Sequence, residues 1–415
     1  MTPTPERTAR RAWSHPGFRR YQFVRIATIL GLQMQAVAVA WQVYDLTRRP
    51  LDLGYLGLVQ FIPVLALWPI TGLVVDRIDR RRVVAVCIAI YAVAAAGLCA
   101  LSLGVLGAGI TSVTPLFVAL SLVAAARAFG QPASQALLPQ LVPIEDFTNA
   151  VTWTSSLFQL GTIVGPAIGG FILGFVGVSG VYAATAVLCA LAALVSLTVE
   201  VRPLPPPPPR GRVWDEVFAG VRFLRGQPVV LGAITLDLFA VLFGGAVALL
   251  PVYARDILHA GPLGFGALRA SPALGATCMA IFLAFHPVGG RAGKKMLAAV
   301  AIFGLATLAF GVSTHIVASV IALVIAGAAD ELSVVVRQTL IQLGTPDDMR
   351  GRVSAVNFVF IGISNEIGEL ESGLAAALFG TVPAVVLGAL GTLAVVTGGW
   401  FLAPALRDVD RLERG

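Results

Sequence analysis

Residues 54–75 read GYLGLVQFIPVLALWPITGLVV, residues 76–82 read DRIDRRR, and residues 83–105 read VVAVCIAIYAVAAAGLCALSLGV. An uncharged apolar run is followed by a turn holding four arginines and two aspartates, and a second uncharged run follows at once. As a helix rising about 1.5 Å per residue, each run reaches across a hydrocarbon core roughly 30 Å thick. A lone strand could not cross, because its backbone N–H and C=O groups would stay unpaired in lipid. The pattern predicts a helical hairpin that crosses a membrane twice and keeps its charged turn in water.

Working outward, the same pattern recurs until it has consumed nearly all 415 residues. Twelve spans are expected, near 22–45, 54–75, 83–105, 113–131, 149–176, 179–199, 229–253, 264–286, 296–313, 316–343, 353–379 and 382–404. The chain is 57% hydrophobic and only 12% charged, with a mean hydropathy of +0.86. Soluble domains carry about a quarter charged residues, and here there are too few polar groups to cover the apolar surface. A soluble enzyme, a nucleic-acid binder and a disordered scaffold are all poor readings. Short alternating segments of the barrel type are absent. The fold class expected is an all-α polytopic membrane protein with the lipid bilayer as its solvent and no nucleic-acid partner. Cys87, Cys99, Cys189 and Cys278 sit singly in apolar runs and read as core residues, so neither a disulfide framework nor a metal site is expected.

Between spans six and seven lies EVRPLPPPPPRGR, whose Pro205 to Pro209 form a stiff spacer. Val213, Val217, Val221 and Leu224 then recur at helical spacing and read as an interfacial amphipathic helix. The expected domains are a cytoplasmic segment (1–21), an N-terminal six-helix bundle (22–200), a cytoplasmic linker with that helix (201–228), a C-terminal six-helix bundle (229–404) and a cytoplasmic tail (405–415). The halves look related. An offset of 203 pairs Gln135 with Gln338, Pro143 with Pro346, Gly165 with Gly368 and Gly170 with Gly373. Repeats of this kind are a mark of secondary transporters. Placing the N-terminus in the cytoplasm puts 22 of the 29 basic residues inside and only Arg48, Arg49 and Arg255 outside, with Arg25, Arg127, Arg269 and Arg337 within spans. The positive-inside rule then sets both termini in the cytoplasm.

The turn GLVVDRIDRRRVV, with Gly72, Asp76, Arg77, Arg80 and Arg81, resembles the second-to-third loop signature of the major facilitator superfamily. Gly72 is expected to let the helix end pack closely. The resemblance implies two pseudo-symmetric six-helix bundles, and a latch in which Asp76, Arg77 and the following arginines hold neighbouring helix ends. Asp79 stands where that signature carries Gly, and the second half keeps only a worn copy, VGGRAGKKM. Span five reads GTIVGPAIGG, with Gly161, Gly165, Pro166, Gly169 and Gly170. Small residues every four positions let helices approach closely. In this span they resemble the superfamily's antiporter signature, although Thr152 replaces a further Gly of that pattern. In ARAFGQPAS of span four, Arg127 with Gly130 resembles an arginine linked to proton coupling. The stretch from Gly327 to Leu374 is similar to a subgroup that exports catecholate siderophores such as enterobactin, and to the drug:proton antiporters related to it.

Acids within spans are Asp237, Asp330, Glu331, Glu366, Glu369 and Glu371. Burial disfavours the charged form of an acid, which suits a proton carrier. The rival role for these acids is to neutralise intramembrane arginines, each costing about 2.5–3.5 kcal/mol at mid-membrane. Asp237, Glu366, Glu369, Asp330, Glu331 and Arg127 are therefore the proton-coupling candidates. Glu366 and Glu369 share one face of span eleven. Arg337 lies too far along the axis from Asp330 for direct contact, so its partner is expected on another helix. Gln33, Trp41 and Gln42 in span one, with Arg337, are the substrate-cavity candidates; interhelical bonds and interfacial anchoring account for part of this set.

The function expected is secondary active transport in the bacterial inner membrane. It takes the form of proton-coupled export of a siderophore or drug-like small molecule, with the proton gradient as energy source and no cofactor. Uptake by the same fold is the main alternative. A channel or an intramembrane enzyme is disfavoured, since there is no H-E-x-x-H and no phosphate-binding Gly-Lys-Ser/Thr loop. A monomer is expected. For orientation, green fluorescent protein fused after Gly415 should fluoresce and alkaline phosphatase fused there should be inactive; active phosphatase would reverse the topology.

Overall fold

The computed structural model describes residues 11–105, 109–202, 221–286, 288–346 and 349–410. Twelve long helices follow one another: α1 (Pro16–Thr47), α2 (Pro50–Arg77), α3 (Arg80–Ser102), α4 (Thr114–Leu137), α5 (Ile144–Phe175), α6 (Val178–Leu197), α7 (Pro228–Phe243), α8 (Gly261–Phe285), α9 (Ala292–Gly311), α10 (Ile316–Gly344), α11 (Arg350–Phe379) and α12 (Thr381–Leu402). Among the described residues there is no strand. Among the described residues, eleven helical stretches are long and apolar enough to cross a membrane by length and composition.

Helix starts follow local chemistry. α1 begins at Pro16, earlier than the apolar run alone indicates, because proline at a first helical position loses no intrahelical hydrogen bond. α7 departs more: after Gly244 the span tightens into a 3-10 turn (Gly245–Leu249) and ends in a π-helical turn (Tyr253–Ile257). Of the connector, residues 203–220, with Pro205 to Pro209, Val213 and Val217, lie outside the described residues, as does part of each terminal segment. Leu224 is buried against Val230, Ile234, Ile341, Val353 and Val356, while Arg222 and Arg225 are exposed. The end of the chain doubles back as well: Asp410 Oδ1 accepts from Arg291 N at 2.9 Å, just ahead of α9.

Contacts divide the chain into two compact units, Met1–Thr47 with Val59–Pro208, and Arg48–Leu58 with Pro209–Gly415. The first turns of α2 thus belong with the second unit. In the first unit α1 packs on α5 and α6, and α3 packs on α4 and α6. In the second, α7 packs on α11 and α12, and α9 packs on α10 and α12. These are the same four pairings, six helices later, and they express the duplication read from the 203-residue offset. α8 packs on α10 as well, where Gly275 lies on the carbonyl of Val324 and Gly327 on that of Pro272. Neither glycine has room for a Cβ. Gly275→Ala should force the two backbones apart and cost about 1–3 kcal/mol, read as a lower unfolding temperature in detergent; an unchanged temperature would show that the crossing yields freely.

Candidate functional site

The most deeply buried charges lie in the second unit. Arg337 of α10 and Asp237 of α7 are 3% and 4% exposed, and Arg337 Nη1 donates to Asp237 Oδ2. The partner that Arg337 requires is thus on another helix. Asp330, seven residues before Arg337 on α10, is within electrostatic reach of both Arg337 and Asp237. Glu331 is half-buried and interacts with Asp330. Two acids and one guanidinium are gathered where lipid depth makes an unbalanced charge costly. One proton makes the trio neutral.

A second gathering lies on α11. Glu366 Oε2 and Glu369 Oε2 fall 2.8 and 3.0 Å from the point a Cβ on Gly57 would occupy. The shared face read from their spacing is real, and it turns toward the first turns of α2. Gly54 and Gly373 let the two backbones meet there, with the Gly54 Cα 2.8 Å from the Cβ position of Gly373. The opposite flank of α11 meets the end of α7 and the start of its break, since Gly368 abuts the carbonyls of Leu242 and Val241 and a Cβ on Gly245 would lie 2.6 Å from the Gly368 carbonyl oxygen.

The remaining candidates lie in the first unit. Gln42 is buried and accepts from Tyr182 Oη at 2.7 Å, joining α1 to α6. Trp41 and Gln33 are half-buried. Gln33 packs at Gly165, whose added Cβ would come within 2.5 Å of the Gln33 Cβ. Gly161 and Gly169 face Ile29 and Met34 in the same way, so the glycine series of α5 is the seam with α1. Pro166 and Gly170 are buried on that helix. Arg127 is half-buried, and among the described residues it makes no ion pair; Tyr91 lies within its electrostatic reach. Ser333 escaped the sequence reading. It sits between Asp330 and Arg337 on α10, and the i, i+3, i+7 spacing was the signal that could have found it.

A family model described as Major Facilitator Superfamily matches residues 23–369. The chain belongs to the Major Facilitator Superfamily. Among similar curated proteins are the enterobactin exporter EntS of Shigella boydii serotype 18, 27% identical over 83% of this chain and 81% of that protein, and its namesake in Escherichia coli O81, 28% identical over the same shares. A solved bacterial homologue of the human lysosomal transporter Spinster is 15% identical, covers 94% of this chain and 97% of that one, and has a TM-score of 0.72. At that identity it shows the fold alone. The protein is a multi-pass membrane protein of a transporter family, which is not an enzyme class.

In this superfamily member the turn between α2 and α3 is built from helix-end chemistry. Arg80 Nη1 donates to the carbonyl of Ala136 at 3.3 Å, at the end of α4. Arg81 Nη1 donates to that of Val199 at 3.2 Å, just past α6. Basic side chains suit helix C-termini, where carbonyls lack partners. Asp79 earns its place as the N-cap of α3, accepting from Arg81 N at 2.9 Å and from Arg81 Nη2 at 2.9 Å. The Arg81 guanidinium holds the Asp79 carboxyl below its ordinary pKa. Arg77 is exposed, and the side chain of Asp76 lies outside the described residues. Among the described residues a Cβ on Gly72 would meet no atom within 4 Å.

For the buried pair, Asp237→Asn should destabilise by about 3–5 kcal/mol, because it removes the carboxylate that Arg337 bonds directly and leaves only Asp330 to balance its charge. The double variant Asp237→Asn/Arg337→Gln should regain much of that loss. Additive losses in the two single variants would mean the pair does not act as a unit.

Proposed function

We propose that this protein is a proton-coupled exporter, an antiporter that moves small molecules of siderophore or drug-like chemistry out of the cell across the bacterial inner membrane by alternating access. The observation that carries the coupling is the buried Asp237–Arg337 pair with the half-buried Asp330 beside it. With both acids ionised it holds one negative charge in excess, and binding one proton removes it. Such a site takes up a proton from the acidic side and releases it on the alkaline side. A proton entering down about 100 mV and one pH unit releases about 3.7 kcal/mol, enough to sustain about a 500-fold outward gradient of a neutral substrate. Export and a catecholate substrate are supported by the relatives named as enterobactin exporters. The glycine seam of α5, with its antiporter-like pattern, supports the same direction. Glu366 and Glu369 are the second pair of proton-site candidates, and Arg127 tunes the field in the first unit.

Deleting the gene under iron limitation should leave a catecholate siderophore inside the cell and less of it in the medium. Restoring the gene should reverse this, and restoring it as Asp237→Asn should not. An unchanged internal pool would sink the siderophore reading. A smaller internal pool would favour proton-coupled uptake, the competing direction for the same fold.

A further inference from the structure

Asp330, Ser333 and Arg337 occupy one stripe of α10, at i, i+3 and i+7. Ser333 is 2% exposed, and its Oγ has no hydrogen-bond partner; Arg337 Nε, equally buried, has none either. Several other helical hydroxyls in this unit bond back to the carbonyl one turn earlier. Thr339 on the same helix donates to Val335 O at 2.8 Å, and on α8 Ser271 and Thr277 donate to Ala267 O and Ala273 O at 2.7 and 2.8 Å. Ser333 does not. A buried polar atom without a partner costs about 1–3 kcal/mol, and here two lie one helical turn apart beside two carboxylates. Residues three and four apart lie side by side on a helix face, so Ser333 neighbours both Asp330 and Arg337, yet neither its Oγ nor Arg337 Nε is bonded to any protein group. Buried waters settle where two to four polar groups converge.

We propose that Ser333 Oγ and Arg337 Nε–H hold a water molecule that links the Asp330 carboxyl to the Asp237–Arg337 pair, so that the two acids share one proton through it. This rests on the proton-coupling reading above. Ser333 is a positioning residue: it orients the water and does not itself change charge. In the relay, protonated Asp330 gives its proton to the water oxygen as the water passes one of its own to Asp237. One carboxylate stays ionised opposite Arg337 throughout, and the water is regenerated. The charges acting on Asp237 are Arg337 and Asp330, and the charge acting on Asp330 is Arg337. Glu331 neighbours Asp330. Of the helices packed against α7 and α10, α8 brings Arg269, α9 brings Lys294 and Lys295 in its first turn, α11 brings Arg350, Arg352, Glu366, Glu369 and Glu371, α12 brings none, and the short helix Pro404–Arg407 brings Arg407.

The test is infrared titration of the carboxylic-acid C=O band in the purified full-length protein, with protons as the only probe. Asp237→Asn and Asp330→Asn should each abolish the shared band. Ser333→Ala should move its midpoint by about one to two pH units, the worth of one hydrogen bond to a charged group, and Ser333→Thr should restore it. Should the Ala variant not fold, Ser333→Cys serves as the weakly bonding substitute, with an intermediate midpoint expected. A band that needs both acids but ignores loss of the hydroxyl overturns the water relay and leaves the shared proton standing. A band indifferent to both acids overturns the coupling reading itself. A midpoint that tracks sodium concentration instead makes this a cation site and overturns the relay.

Discussion

Hydrocarbon offers no hydrogen bonds, and most of this chain's geometry answers that single shortage. Backbone groups satisfy one another by coiling into helices. Hydroxyls do the same on a smaller scale, as Thr28 donates to Val24 O at 2.7 Å and Thr397 to Leu393 O at 2.8 Å. A guanidinium has too many donors for such local solutions and needs an acid from elsewhere. Arg337 therefore ties α10 to Asp237 of α7. Breaking such a pair costs more than forming it gains, because the survivor stays charged in a medium that cannot solvate it.

The same solvent removes the usual reason for helices to associate, since lipid tails are as apolar as leucine. Close packing has to supply the attraction. Gly161, Gly165 and Gly169 bring α5 onto α1, and in the second unit Gly368 brings α11 onto α7. Gly165 and Gly368 are partners under the 203-residue offset. Their equivalent seams show that the duplication preserved contacts, with the glycine kept where the backbones press together. α11 then departs from its counterpart by presenting Glu366 and Glu369 to Gly57. That acidic face is an addition to the shared plan.

Legibility in the sequence follows the range of the interaction. Spans were plain because each is a run of about 20 residues whose solvent is its own signal. The break in α7 was not, since Gly244 and Gly245 interrupt neither hydropathy nor charge; only the neighbours that crowd them, Phe303 and Ser372, give the interruption meaning. Spacing showed that Glu366 and Glu369 share a face, yet no periodicity on α11 could name Gly57 as what they face. For Arg337, axial distance excluded Asp330 as a direct partner and left the choice of Asp237 to tertiary structure. Asp79 was read as a departure from the loop signature, and its role as a helix cap depends only on Arg81 two residues on.

The arginines at the ends do two tasks at once. Arg20 of α1 donates to Thr198 O at 2.6 Å, Arg81 of α3 to Val199 O at 3.2 Å, and Arg80 of α3 to Ala136 O at 3.3 Å. The starts of α1 and α3 and the ends of α4 and α6 must therefore share one side of the first unit. That is the arrangement an alternating up-and-down path demands. In the second unit a different bond does this, the backbone N–H of Arg291 donating to Asp410 Oδ1 and so joining the start of α9 to the chain beyond α12. Charge counting assigns these residues to one face of the membrane, and hydrogen bonding gives each a carbonyl or carboxylate to hold there. Arginines at the rim satisfy the open ends of helices, whereas Arg337 in the interior must be balanced by an acid. The depth of an arginine, more than its presence, separates architecture from mechanism in this chain.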